Sequence, residues 1–331
     1  MLAGVFEKEG QFCLKEVPVP TIENPTQVKI KVAAVSICET DLHITSVPAK
    51  YIATPNTILG HEFVGEIVEI GQDVTTLKPG DKVVINPNDY CCVCDNCRNN
   101  LPTHCRQIKA MGIDVNGAFA PYVVTSEKTC YKISPKVSNN AAACVEPLAC
   151  ALNGFEKVQI KAGCKVAIIG ASPIGLMIAM LVQQTPCGQM DLFEINEKRI
   201  DFAKSISVGN VYHTSNTQSP AFLQQYDHVF DMTGSQLKTA MTLVKNTGDI
   251  VLFGVNKEAS TELLPFEITT REITVYGSWL ANATFSSAVA VLENNVIDIE
   301  KLITHKFDLS QIQDALNMHR NGDAVKVIVT P

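Results

Sequence analysis

Long apolar runs, clustered basic charge and internal repeats are all lacking in this sequence of 331 residues, and each lack removes a class of function. The longest apolar stretch, Val166 to Val182, is broken by Gly170, Ser172, Pro173 and Gly175, so no clean run reaches the roughly 18 residues a spanning helix needs. No membrane partner is expected. The 27 Lys and Arg are scattered among 34 Asp and Glu, for a formal net charge of −7, which leaves no patch from which a polyanion would release counterions. Nucleic acid is therefore not expected as a partner. Glu7, Lys8 and Glu9 fall where a secretory segment would be apolar, so the reading is a cytoplasmic protein. In a reducing compartment its 12 cysteines are metal ligands or small buried hydrophobes rather than disulfides.

What is present divides in two. With 46% hydrophobic and 18% charged residues the composition is that of a globular chain, and its length favours two domains. Up to about residue 148, β-branched runs at Gln27 to Val35, Phe63 to Ile70, Asp81 to Ile85 and Ala118 to Val124 are separated by turn pairs such as Pro79-Gly80 and Asn116-Gly117. This texture predicts an all-β, barrel-like region. Beyond it, strand-like runs at Lys165 to Ile169, Met190 to Phe193, His228 to Met232, Asp249 to Phe253 and Ile273 to Tyr276 alternate with helical segments such as Pro173 to Gln184 and Lys198 to Ser205. That alternation predicts a doubly wound parallel sheet. From about Phe285 the order is helix, strand, helix, strand, ending in Val325 to Val329, a strand suited to return to the first domain.

Three groups of residues carry chemistry. Cys91, Cys94, Cys97 and Cys105 are spaced x2, x2 and x7, which suits a closed tetrahedral sulfur shell for a structural zinc; an iron–sulfur cluster shares the ligand type. Polar neighbours such as Asp95, Asn96 and Arg98 argue against a buried core segment, and Cys92 is left over. A more dispersed set, Cys38, His61, Glu62 and Glu146, offers thiolate, imidazole and carboxylate, the donors of a catalytic zinc with one open position. The third group is Gly170-Ala171-Ser172-Pro173-Ile174-Gly175, which follows a predicted strand and opens a predicted helix, as a dinucleotide turn requires. Glu194 ends the next strand and suits the ribose hydroxyls of NAD, whereas it would repel the 2′-phosphate of NADP; Asp191, earlier on that strand, is the rival acid.

In this order the motifs resemble the zinc-dependent medium-chain alcohol dehydrogenase family over essentially the whole chain, and Glu146-Pro147-Leu148 resembles its sorbitol and sugar-alcohol branch. The resemblance implies an α/β protein: a GroES-like β-barrel catalytic domain (residues 1–148 and 284–331, with a zinc lobe at 89–107) plus a Rossmann domain (149–283) that binds NAD. It implies two zincs per chain. Cys38 and His61 are then catalytic-zinc ligands, with Glu62 and Glu146 alternating or binding through water. Thr40 would take the hydroxyl proton and His43 would pass it on, while Asp41 orients the metal loop. Gly170, Ser172, Pro173, Ile174, Gly175, Glu194, Arg199, Thr233, Gly254 and Ser278 would contact the cofactor. The implied activity interconverts a secondary alcohol of a polyol, sugar acid or sugar-alcohol derivative and its ketone, in a homodimer or homotetramer. Leu280 replaces the arginine of sorbitol dehydrogenases, Asn88 the histidine of threonine dehydrogenases, and Glu39 a glycine. A threonine or butanediol-type dehydrogenase and a non-catalytic NAD- or zinc-binding protein are the alternatives. His104 is taken as a non-ligand, and His213, His228, His305 and His319 as surface residues.

Overall fold

The structure, a computed structural model, describes residues 1–331. The chain separates into two compact units, one of Met1–Ala149 with Phe285–Pro331 and one of Cys150–Thr284.

The first unit is built on the strand Gln27–Ser36, whose alternate residues Val28, Ile30, Val32 and Ala34 turn inward while Lys29 and Lys31 turn away. That period-two pattern gives a strand one buried face. It pairs antiparallel with Glu62–Ile70, from Val28 opposite Ile70 to Ser36 opposite Glu62, and with Tyr122–Ser126. Lys82–Ile85 and Cys130–Lys132 extend the sheet on one side. On the other side the last strand, Lys326–Thr330, lies antiparallel to Gln27–Ser36, with Ile328 opposite Ser36, and carries Ile303–Asp308 parallel to itself. A second sheet joins Leu2–Lys8 to Gln11–Glu16 and Thr57–Ile58. Phe63, Phe119, Ile30, Leu59 and Ile67 fill the core, each at most 1% exposed. The strand expected at Ala118 to Val124 begins only at Tyr122. Ala118 and Phe119 instead give their N–H groups to Gly60 and Leu59, and Pro121 has none to give.

The second unit is a six-stranded, all-parallel sheet in the spatial order Asn210–His213, Gln189–Glu194, Lys165–Ile169, Tyr226–Asp231, Val244–Leu252, Thr274–Gly277. The chain starts at the central strand, winds outward one way and then the other, which is the doubly wound order with its switch point beside Lys165–Ile169. Val166, Ala167, Ile168 and Ile169 are at most 1% exposed, as expected for a strand covered on both faces. No helix in the molecule is long and apolar enough to cross a membrane.

Candidate functional site

The four lobe cysteines converge. A short ladder of Asn88–Asp89 with Lys109–Ala110 closes the base of the loop that holds them. Their sulfurs all lie within 4.8 Å of one another, with Cys94 to Cys97 at 3.6 Å and Cys91 to Cys97 at 3.9 Å. Four sulfurs about 2.3 Å from one zinc stand about 3.8 Å apart, so the spacing fits that ion. Backbone N–H groups of Cys91 and Gln107 donate to the Cys105 sulfur, and that of Cys94 to the Cys91 sulfur, each at 3.3 Å. Amides of Arg106 and Cys97 pull the Cys94 thiol down to about 6. Donors aimed at sulfur stabilise thiolates, the form that binds metal. Cys92 is exposed and stands outside the cluster.

A second cluster unites Cys38, His61 and Glu62, again within 4.8 Å. Its parts come from adjacent strands: Cys38 follows Gln27–Ser36, and Glu62 opens the strand whose first residue faces Ser36. Gly60, at φ 90°, turns the chain into His61; a Cβ there would sit 2.9 Å from the ring and backbone of Phe119. Asp41, fully buried, accepts the Cys38 N–H through Oδ2 at 2.9 Å and turns Oδ1 toward His61 Nδ1 at 3.5 Å. Neither Oδ1 nor Nδ1 has a hydrogen-bond partner at normal distance. A carboxylate behind an imidazole is how metal-bound histidines are oriented. Burial pushes the Cys38 thiol up, with Glu62 adding to it. Burial alone would lower His61, but the Cys38 and Asp41 charges hold it well above the usual histidine range. The cluster therefore attracts positive charge, and its thiolate, imidazole and carboxylate are a donor set for zinc. Glu146, buried in the first turn of the helix Val145–Phe155, is not among the three. Thr40 and His43 lie on the helix Glu39–Ile44 directly after Cys38, and His43 Nε2 is 3.5 Å from Glu39.

In the second unit the glycine turn follows Lys165–Ile169, and Ser172 caps the helix Pro173–Gln183 by accepting the Gly175 N–H at 3.2 Å. Pro173 takes the first helical position, where no N–H is needed. Gly170 has φ 106°, and a Cβ on it would stand 3.1 Å from Thr233. Glu194 ends Gln189–Glu194, the neighbouring strand, and receives the Ala171 N–H at 2.6 Å. Arg199, half-buried, gives its N–H to Asn196 in the first turn of the next helix. Thr233 donates to Asp231 at 2.7 Å, the Gly254 N–H bonds Asp231 O, and the Ser278 N–H bonds Leu252 O. Apart from Arg199, which lies in the first turn of the helix Glu197–Ser205, these residues end or directly follow parallel strands at their carboxyl ends, where open α/β sheets bind ligands. Asp191 is instead wholly buried under Gln189, Asn210 and Tyr226, whose donors lie at 2.6, 2.8 and 2.6 Å.

Residues 24–135 match the alcohol dehydrogenase GroES-like domain, and residues 173–294 the zinc-binding dehydrogenase domain. D-altritol 5-dehydrogenase of Agrobacterium fabrum is 32% identical over 319 residues, 94% of each chain. The chain belongs to the zinc-dependent medium-chain alcohol dehydrogenase family. D-arabinitol dehydrogenase 1 of Uromyces fabae, a further member, is 30% identical and covers 100% of this chain and 97% of its own. Among solved structures, a protein of Sinorhizobium meliloti 1021 described as a zinc-binding dehydrogenase and bound to NADP superposes with a TM-score of 0.93 at 29% identity, over 100% of this chain and 99% of its own.

Two histidines depart from the sequence reading. His228 and His319 are 8% and 6% exposed rather than on the surface, because Asp249 faces His228 at 3.0 Å and Glu39 faces His319 at 3.8 Å. Sequence reasoning also passed over Lys326, whose only signal is a single cation opening an apolar strand.

Proposed function

We propose that this dehydrogenase interconverts a secondary alcohol of a polyol, sugar acid or sugar-alcohol derivative with its ketone, using NAD. The observation that carries the reading is the convergence of Cys38, His61 and Glu62 on one point, with Asp41 behind the imidazole. The relatives that act on altritol and arabinitol, by their names, support a polyol. Cys38 and His61 would hold a zinc, with Glu62 and Glu146 as its carboxylates, and the lobe cysteines a second one. Zinc supplies a Lewis acid that lowers the pKa of an alcohol, and NAD supplies the hydride acceptor.

The chain's own residues do the rest. Asp41 fixes the His61 ring so that one nitrogen is presented outward. Thr40 would take the substrate hydroxyl proton at its Oγ1 while giving up its own, and His43, its ring beside the Glu39 carboxylate, would pass that proton to solvent. The positive end of the helix Pro173–Gln183, with the Ile174 N–H in its first turn, suits a pyrophosphate, and Glu194 suits a ribose hydroxyl.

The test is NAD reduction across D-altritol, D-arabinitol, sorbitol, sugar acids, threonine and butanediol. A kcat/KM highest for a polyol or sugar acid is expected. Turnover confined to threonine or butanediol would favour the alternative substrates, and no turnover with any would favour a binding protein.

A homodimer or homotetramer in the cytoplasm completes the proposal. Thr274–Gly277 is an open sheet edge with Leu264, Phe266 and Trp279 exposed near it in sequence, a pattern that favours self-association. Twelve free cysteines suit a reducing compartment. Light scattering on the eluting protein measures the oligomer.

A further inference from the structure

Glu62 has a partner that no motif announces. Ser36 faces Glu62 on one side and Ile328 on the other, so three adjacent strands bring Lys326 to the metal cluster from 264 positions away. Its Nζ lies 2.5 Å from Glu62 Oε2 and donates to Ile37 O at 2.9 Å. Lys326 is 2% exposed and Glu62 1%, so the pair is out of water. Burial pulls the lysine down, but Glu62 first, then the Cys144 and Cys38 sulfurs, hold it above the ordinary lysine range.

The charges in this small volume nearly determine one another. Cys38, Asp41, Glu62 and the proposed ligand Glu146 offer four anionic groups, against which a divalent cation alone leaves an excess of two negative charges and the cation together with Lys326 an excess of one. Buried charge that is not matched is costly, so the ammonium belongs to the centre. It also competes there. Lys326 occupies one oxygen of Glu62 with a charge-assisted bond, and a carboxylate shared in this way is a weaker ligand than a free one. Zinc sites that carry out chemistry keep one position open. A Glu62 released from its lysine would be drawn onto the cation and fill that position.

We propose that Lys326 is a positioning residue: its ammonium restrains Glu62 as a releasable ligand and so keeps the substrate-facing position of the metal centre open. The inference rests on the reading of Cys38, His61 and Glu62 as a zinc site.

The experiment follows zinc release from the holoenzyme to a chromophoric chelator, in parallel with polyol turnover. The site's release phase is the one absent from Cys38→Ser; the lobe phase is the internal control. Lys326→Met removes a positive charge and frees Glu62, so release from this site should slow by about tenfold or more while kcat falls by about tenfold or more, with the lobe phase unchanged. Lys326→Arg keeps the charge and should stay within about threefold of wild type in both readouts. Adding Glu62→Gln to Lys326→Met should abolish the slowing. Damage of a merely structural kind predicts the opposite sign, faster release; unchanged or faster release in Lys326→Met overturns the proposal. Should Lys326→Met fail to fold, Glu62→Gln alone decides. Release within about threefold of wild type supports a restrained Glu62, and release tenfold faster makes it a firm ligand despite Lys326, which overturns the proposal. A wild-type chain holding only the lobe zinc overturns the metal reading and this proposal together, whereas normal zinc content with unslowed release overturns only the role of Lys326.

Discussion

Glu194 Oε2 accepts the Ala171 N–H at 2.6 Å, so the acid at the end of one strand ties down the glycine turn that follows its neighbour. Its Oε1 receives the N–H groups of Ile195 and Asn196 at 2.8 and 2.9 Å. A carboxylate has about four acceptor positions, so about one remains for a ribose hydroxyl. Wild type is expected to prefer NAD to NADP by about a hundredfold or more in kcat/KM, because the same charge repels a 2′-phosphate. Glu194→Ala should erase at least about tenfold of that preference, equivalent to about 1.4 kcal/mol. An unchanged ratio in this variant would mean that Glu194 serves only the turn.

Asp191 makes the contrasting case. Its three side-chain donors leave it spent on structure, and burial together with Asp191 raises the pKa of the Tyr226 hydroxyl far above that of free tyrosine. Tyr226→Phe deprives a buried carboxylate of one donor and should cost about 1 to 3 kcal/mol of stability. The KM for NAD should not move. Urea unfolding beside steady-state kinetics checks both halves, and a large KM change would place Asp191 at the cofactor.

Acid sensitivity has a local source at Glu127. Its Oε1 accepts the Thr76 hydroxyl at 2.7 Å and the N–H groups of Thr76 and Thr75 at 2.5 and 2.9 Å. The Thr76 hydroxyl, aided by these amides, holds the carboxyl below its usual value of 4.5. The unfolded chain thus binds the proton first as pH falls. The stabilisation is whole above about pH 4.5 and disappears as pH drops through the lower folded value. Glu127→Gln should be less stable than wild type at pH 7, by about 0.5 to 1 kcal/mol for so open a group. Thermal melts at stepped pH should show the gap closing in acid; a constant gap would assign it to packing.

Legibility in the sequence followed distance along the chain. Cys91 to Cys105 is one loop, so ligand spacing could be read directly, and the glycine turn with Glu194 is one strand–helix–strand step. Cys38 and His61 needed the resemblance to be joined, because their meeting depends on strand register. Lys326 meets Glu62 only through two successive pairings, and nothing local marks it beyond its place in an apolar run. His228 and His319 were misjudged for the same reason: the acids that permit their burial, Asp249 and Glu39, come from other elements. The strand at Ala118 failed differently, since local β-pattern there is overridden by backbone bonds to Leu59 and Gly60.

The two cysteine-containing clusters share no residue, and the glycine turn lies in the other compact unit, so metal and cofactor binding should be separable. Metal analysis of protein purified without added zinc should give close to two equivalents per chain. Cys94→Ser should bring this close to one and lower thermal stability, because a lobe whose backbone N–H groups point at sulfur loses the cation that balances the thiolates. Cys38→Ser and His61→Ala should also leave about one equivalent, but with the lobe metal retained and turnover reduced at least about a thousandfold, the loss expected when an electrophile is removed. NADH fluorescence titration distinguishes the cases: both variants should bind NADH within about threefold of wild type, since the glycine turn and Glu194 are untouched. If NADH binding disappears while the variants remain folded, the cofactor depends on the metal cluster and the separation is wrong. A wild-type content near one equivalent would leave the Cys38 cluster without its ion, and the catalytic reading would fall with it.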